Sequence, residues 1–164
     1  MALNLRGGDD GCTDFAGQRV SKDHAAIEAL GALDEVGAAL GLAAALLDQA
    51  GESGLVAQLR EFQLALIDLG ACLAGLKRCD WQARLGALDE LIAEAADVKR
   101  PAAFVLQGQN PAGAALHLAR TAARRAERRW LTFTAQAGPE QAWLNRLSEL
   151  LFVLALRTDG GGAT

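Results

Sequence analysis

An all-α bundle of five helices is the fold class this sequence predicts, and three observations predict it. Apolar residues make up 51% of the chain, yet aromatics are only 5% and prolines number three, a profile suited to helix packing rather than to a β-sandwich or a disordered chain. Apolar residues recur at helical spacing in five separate stretches. Gly and Pro stand between those stretches as punctuation. At 164 residues the chain reads as one domain, 1–164, long enough to bury about two-thirds of its unfolded surface. Within it, 1–21 reads as an N-terminal loop, 22–157 as the bundle and 158–164 as a frayed tail.

The first 21 residues are rich in Gly and Asp and show little periodicity. Two readings stay open: a loose terminus, or a loop whose backbone N–H groups gather round phosphates with Arg6, Thr13 and Lys22, with Asp9 or Asp10 near a magnesium ion. The first helix is predicted over 23–49, with Asp23 as its cap and Gly51 as its stop. Ile27, Leu30, Asp34, Gly37, Gly41 and Ala44 fall on one face of it, so Asp34 sits in an apolar, glycine-rich stripe where another helix can approach. A carboxylate there either meets a cation, Arg120 being the candidate, or lies at a solvent edge.

The second helix is predicted over 55–76, with Leu59, Phe62, Leu66, Leu69 or Gly70, and Leu73 inward. The third covers 81–97, with Leu85, Leu88, Leu91 and Ile92 inward. A loop over 99–110 then leads to a helix capped by Asn110, with Pro111 at the first helical position where its missing N–H costs nothing. Leu116, Ala119, Ala123, Ala126, Trp130 and Phe133 form its core stripe at ~100° per residue. Gly138 and Pro139 punctuate, and the fifth helix covers 140–156, with Trp143, Leu147, Leu150, Leu151 and Leu154 as core. Asn145 lies off that stripe and reads as a surface polar residue.

The net charge is −4, so the basic cluster on the fourth helix is a local feature of an acidic protein, which argues against non-specific nucleic-acid binding. Cys12, Cys72 and Cys79 lack the spacing of a zinc site or a disulfide framework, and reduced thiols are the default. No apolar run approaches the ~20 residues of a membrane span, and no apolar leader opens the chain. A soluble, cytoplasmic protein with no membrane partner is expected.

The chemistry concentrates on the fourth helix. Five arginines fall between 120 and 129. Arg120 and Glu127 edge the core stripe, with Arg124, His117 and Arg128 just round the barrel, while Arg129 reads as solvated. Charges that flank a core seam are usually paired or bind something. Guanidinium groups at helical spacing around one carboxylate suit an oligophosphate or an acidic partner. A Glu-x-x-His di-iron site, a nucleophile–base pair, a Walker A loop and a dinucleotide fingerprint are all missing. The residues alone therefore lead to nucleotide or oligophosphate binding by a helical bundle.

Three blocks also resemble a known family. GGDDGCT with RVSKD, IEALGALDEVGAALGLA, and FVLQGQNPAGAALHLARTAARRAERR followed by WLNRLSELLFVLA are similar to the ATP:cob(I)alamin adenosyltransferases of the propanediol-utilisation type, over nearly the whole chain. The resemblance implies a ferritin-like five-helix bundle assembled as a homotrimer, with active sites between subunits. It implies that ATP, with Mg²⁺, and cobalamin bind side by side, and that reduced cobalt attacks the 5′ carbon of ATP to leave adenosylcobalamin and triphosphate. By the family pattern Arg6, Gly7, Gly8, Thr13, Lys22, Arg124, Arg125, Glu127, Arg128 and Asn145 serve ATP. Asp34 and Arg120 match the pair that bridges subunits, Phe104 matches the aromatic beneath the corrinoid, and His117 is placed facing the corrinoid. The metal ligands stay unassigned, and a flavin or flavodoxin-type reductase is a candidate partner.

The chain departs from the family pattern at Leu5, Leu30, Gly37, Gln107, Gln109 and Leu156. Two other readings stand beside the enzyme: a diverged paralogue that binds ATP or corrinoid as carrier or sensor, and a structural helical oligomer.

Overall fold

The protein is described here by a computed structural model covering residues 8–95 and 104–160. Leu5, Arg6 and Gly7, and the predicted end of the third helix at Asp97, lie outside the described residues. The N-terminal stretch carries a β-hairpin that aperiodicity did not announce: β1 (Cys12–Phe15) and β2 (Gln18–Ser21) are antiparallel, with Thr13 opposite Val20. Ala16 and Gly17 between them both have positive φ, 49° and 78°, the backbone a tight type I′ hairpin turn requires. A left-handed alanine costs ~1–2 kcal/mol, so the usual Asn-Gly signal of such a turn was not there to be read.

Five helices follow: α1 (Ala25–Gln49), α2 (Ser53–Leu73), α3 (Trp81–Glu94), α4 (Pro111–Thr134) and α5 (Pro139–Thr158). The cap of α1 is His24 rather than Asp23; its Nδ1 accepts from the Ala26 N–H at 3.2 Å, after its own N–H has donated to the Ser21 carbonyl. The last turn of β2 thus delivers the chain one residue later than the sequence suggested. The core stripe of α1 also differs. Ala26, Ala29, Leu33, Val36, Leu40, Ala43 and Leu47 are buried, whereas Asp34 is exposed and Ile27, Leu30, Gly37 and Gly41 are only half-buried. Ala and Gly occupy every side of this helix, so periodicity alone could not choose the buried one. The glycines do admit a neighbour: Gln63 of α2 donates to the Gly37 carbonyl at 2.8 Å, and a Cβ at Gly41 would lie 3.1 Å from the Gln63 amide.

Neighbours run in the order α2, α1, α4, α5, α3. The ring closes through aromatic contacts, Trp143 of α5 meeting Phe62 of α2 at 6.5 Å and Trp81 of α3 at 5.5 Å. The predicted stripes of α2, α4 and α5 are the observed ones, with Leu73 and Phe133 only partly buried. On α3 only Leu88 of the predicted set is fully buried, joined by Trp81. By length and composition α1 is apolar enough to cross a membrane, which corrects the expectation that no run comes near it. In this fold that apolarity is spent on two helix neighbours, α2 and α4. Cys12, Cys72 and Cys79 are free thiols.

The end of the chain is not frayed where it is described. α5 continues to Thr158, and Asp159 is tied to the start of α4: the Asn110 amide donates to the Thr158 carbonyl at 2.7 Å and to Asp159 Oδ1 at 3.1 Å.

Candidate functional site

The site is built on α4, and its start is set by one side chain. Asn110 Oδ1 accepts from the Gly113 N–H at 2.9 Å, and Pro111 occupies the first helical position. From there the charged residues separate into two lines. Arg125 pairs with Glu35 and Arg129 with Glu28 at 3.5 Å, both partners on α1. These pairs are about half exposed on each side and run along the antiparallel α1–α4 seam. Arg120, Arg124 and Arg128 lie at i, i+4, i+8 on a different line, and none has an ion-pair partner among the described residues.

The head of that second line borders α5. The Arg120 guanidinium lies 5.6 Å from the centroid of the Phe152 ring, and its Nε is buried without a hydrogen-bond partner. Burial, with the adjacent Arg124 charge, pushes the Arg120 pKa below its ordinary value. An aromatic face offsets part of that cost, but a carboxylate or phosphate would offset more. Further along the same seam Glu127 accepts a hydrogen bond from the Gln141 amide of α5. Asn145, one turn on from Gln141, is half-buried and donates to Glu149 at 3.0 Å.

The two loops expected to serve the site sit at opposite ends of α4. The hairpin packs on the C-terminal end, where Phe15 and His24 meet Phe133 edge-on, each at 6.1 Å. Thr13 is half-buried in the hairpin, and the Lys22 side chain lies so close over Gly8 that a Cβ there would be 2.8 Å from its Nζ. Asp10 is engaged by Arg19 at 2.8 and 2.9 Å and by the Cys12 N–H at 3.0 Å. Its carboxylate is thus engaged within the hairpin, and no cluster of three or more metal-binding side chains occurs among the described residues. Phe104 belongs to the loop at the N-terminal end; it is fully exposed, as is most of Leu106. The length of α4, about 35 Å at 1.5 Å per residue, separates the two loops within one chain.

Asp34 and Arg120 do not meet within the chain. Asp34 rims a shallow cleft between α1 and α2 with Leu33, Gly37, Gln63, Leu66 and Ile67, whereas Arg120 faces α5 on the far side of the α1–α4 pair. Helix order, which spacing cannot supply, puts the two on opposite faces, so of the two readings left open for Asp34 the solvent edge is the one seen within a single chain. His117 is also not open to solvent. It is 2% exposed, with Phe152 and Asp159 around it. Sequence reasoning missed Phe152, Gly113 and Asp159 altogether. A glycine one turn inside a helix was the only signal for the last two.

The family model for cobalamin adenosyltransferase matches residues 3–158. The chain is 39% identical over 97% of its length to the corrinoid adenosyltransferase PduO of Salmonella typhimurium, and 35% identical over 94% to the corrinoid adenosyltransferase of Bacillus subtilis. It spans 50% of the Salmonella protein and 85% of the Bacillus one. Among solved structures, a variant PduO-type ATP:corrinoid adenosyltransferase from Lactobacillus reuteri, complexed with cobalamin and ATP, aligns with a TM-score of 0.86 at 26% identity, covering 96% of this chain and 91% of that one. Another variant from the same source, complexed with ATP, gives 0.85 at 27% identity over 96% of this chain and 94% of its own. An arginine-lined α4–α5 face inside a five-helix bundle of this shape, matched along nearly its whole length, places the chain in the cobalamin adenosyltransferase family.

Proposed function

We propose that this chain is a corrinoid adenosyltransferase, moving the 5′-deoxyadenosyl group of Mg·ATP onto cob(I)alamin with release of triphosphate. The observation that carries the reading is the line Arg120, Arg124, Arg128: cations at one-turn intervals, the first half-buried with its Nε unpartnered, and none paired with a carboxylate among the described residues. The nucleophile is the substrate's reduced cobalt, so the absence of a nucleophile–base pair in the sequence is no obstacle. What the protein must supply is a hold on the leaving triphosphate as the carbon–oxygen bond breaks, and aligned guanidinium groups stabilise that growing charge. Arg124, Arg128 and Lys22 bind phosphate oxygens, Arg6, Gly7, Gly8 and Thr13 shape the nucleotide loop, Glu127 orients the guanidiniums, and Asn145 contacts the nucleotide. Arg125 joins them by exchanging its exposed Glu35 partner for phosphate. Mg²⁺ arrives with the phosphates, its usual manner of binding.

The corrinoid lies against Phe104, whose exposed ring keeps an axial ligand from the lower face of the cobalt; His117 supports that end from beneath the surface. Two loops separated by the length of α4 cannot both serve one reacting pair within a single chain, and this supports a site completed by a second copy. Asp34 on one face and Arg120 on another suit a head-to-tail ring, in which the carboxylate of each copy meets the guanidinium of the next. We read the assembly as a cytoplasmic homotrimer. Adenosyl transfer with chemically reduced cob(I)alamin and Mg·ATP, followed by absorbance and triphosphate release, tests the activity. Turnover is expected; ligand binding without turnover would leave a carrier or sensor, and neither would leave a structural oligomer.

A further inference from the structure

Among the described residues outside the arginine line, a buried polar cluster lies where the end of α5 crosses the start of α4. The Asp159 side chain is 8% exposed and sits at the N-terminus of α4, where the helix dipole favours an anion. Asn110 uses both ends of its amide there: Oδ1 caps Gly113, while Nδ2 donates to Thr158 and Asp159. Gly113 is the only residue the crossing admits, since a Cβ would lie 2.0 Å from Asp159 Oδ1 and 2.6 Å from its Cγ. One turn further along, His117 Nε2 stands 3.6 Å from Asp159 Oδ2, and neither ring nitrogen has a hydrogen-bond partner. The imidazole then packs 6.1 Å from the Phe152 ring, on which the Arg120 guanidinium also rests. On the other side, Gly108, at φ +86°, lays the loop from Phe104 onto the same turn, its missing Cβ 3.3 Å from Ala114 Cβ.

We propose that Asp159 and His117 are positioning residues: a buried latch between the end of α5 and the first turns of α4 that holds, from one point, both the loop carrying Phe104 and the turn carrying Arg120. The inference rests on Phe104 and Arg120 belonging to the corrinoid site. A carboxylate buried against a neutral ring is a costly way to gain stability alone, whereas two of its neighbours adjoin the site: Asn110 ends the loop from Phe104, and His117 shares the Phe152 ring with Arg120. The charged groups that act on His117 are Arg120 from α4, with Arg124 beyond it, and Asp159 from the end of α5. Burial and Arg120 lower its pKa, so the ring stays neutral and does not repel the guanidinium one turn away.

The test uses the full chain with Gly113→Ala, Asp159→Ala and the conservative Asp159→Asn. Adenosyl transfer is measured with cob(I)alamin and Mg·ATP, and hydrogen exchange is followed over residues 104–116 and 150–160. Opening the latch should cut kcat roughly ten- to a hundredfold with KM for Mg·ATP within about twofold, since Arg124 and Arg128 are untouched. Exchange over 104–116 should rise at least ~tenfold with α1 and α2 unchanged, and Asp159→Asn should restore most of both. Unchanged kcat with a locally opened latch would overturn the proposal, as would a fall in kcat accompanied by faster exchange throughout the bundle. Should Gly113→Ala fail to fold, the two Asp159 variants decide alone. Should the unmodified chain show no transfer, the enzyme reading fails by itself. Exchange then still decides the latch, a local rise supporting it and no local rise overturning it.

Discussion

Two lines of arginine run along α4 with the same chemistry and nearly the same spacing, yet they differ in what answers them. Arg125 and Arg129 turn toward α1 and meet Glu35 and Glu28 in half-exposed pairs. Arg120 turns toward α5 and rests on the Phe152 ring, and Arg124 and Arg128 follow it at one-turn intervals, exposed and without an ion-pair partner among the described residues. The first line is held by its own fold; the second is left with unspent positive charge. Partner choice across the helix seam, not residue type, separates a cation engaged by the fold, such as Arg129, from one kept for a ligand, and Arg125 stands between them, free to leave the exposed Glu35 for phosphate.

The sharpest way to break that contrast is at Arg120. Arg120→Ala should lower adenosyl transfer about a hundred- to a thousandfold, since it removes the cation at the head of the line and with it the proposed partner of the next copy's Asp34; activity near the unmodified level would remove Arg120 from the site. Arg128→Ala should follow with roughly a ten- to hundredfold loss in kcat/KM for Mg·ATP, steeper as salt is lowered, because a solvated phosphate contact is screened by ions. A loss independent of ionic strength would count against a phosphate contact.

The next effect is one of pH. His117 has its folded pKa depressed, with burial the largest cause and Arg120 the second. Above the ordinary imidazole value, about 6.5, folded and unfolded chains are both neutral and this residue contributes no slope. As pH falls below that value the unfolded chain takes up a proton that the folded one refuses, so stability declines until the folded pKa is passed. Melting temperature should therefore drop more steeply from pH 7 to 5 in the unmodified chain than in His117→Gln; equal slopes would mean the ring is not held neutral. The smallest effect belongs to the paired line. Arg129→Ala should change stability by no more than ~1 kcal/mol, as half-exposed pairs do, and leave transfer within about threefold. A large loss of transfer would erase the distinction between the lines.

Much of the scaffold was legible because its signals are local. Asn110 with Pro111, the Leu and Trp stripe of α5, and the core seam of α4 rest on capping geometry and a 3.6-residue period, which neighbours on the chain express by themselves. The buried face of α1 was not legible, because Ala and Gly on every side leave the period without contrast. Spacing therefore leaves Asp34 open between a cation partner in an apolar stripe and a solvent edge, and it rims an exposed cleft. The β-hairpin went unread because its turn uses a left-handed alanine. Asp159 fell in a stretch assigned to a loose tail, since nothing in Arg-Thr-Asp-Gly-Gly signals that a helix start 49 residues earlier is waiting for it.

Sequence by itself determined the class of this protein: five amphipathic helices, an arginine-rich helix among them, and motif blocks specific enough to indicate its family. Those are properties of spacing and residue type, and they survive without knowing which helix lies beside which. Only the tertiary structure decided which arginines are spent on carboxylates and which are kept, that Asp34 and Arg120 occupy opposite faces, and that the end of α5 locks the beginning of α4. Each of these depends on residues far apart in the chain meeting across a helix seam, and the order and rotation of packed helices are set by the whole core at once.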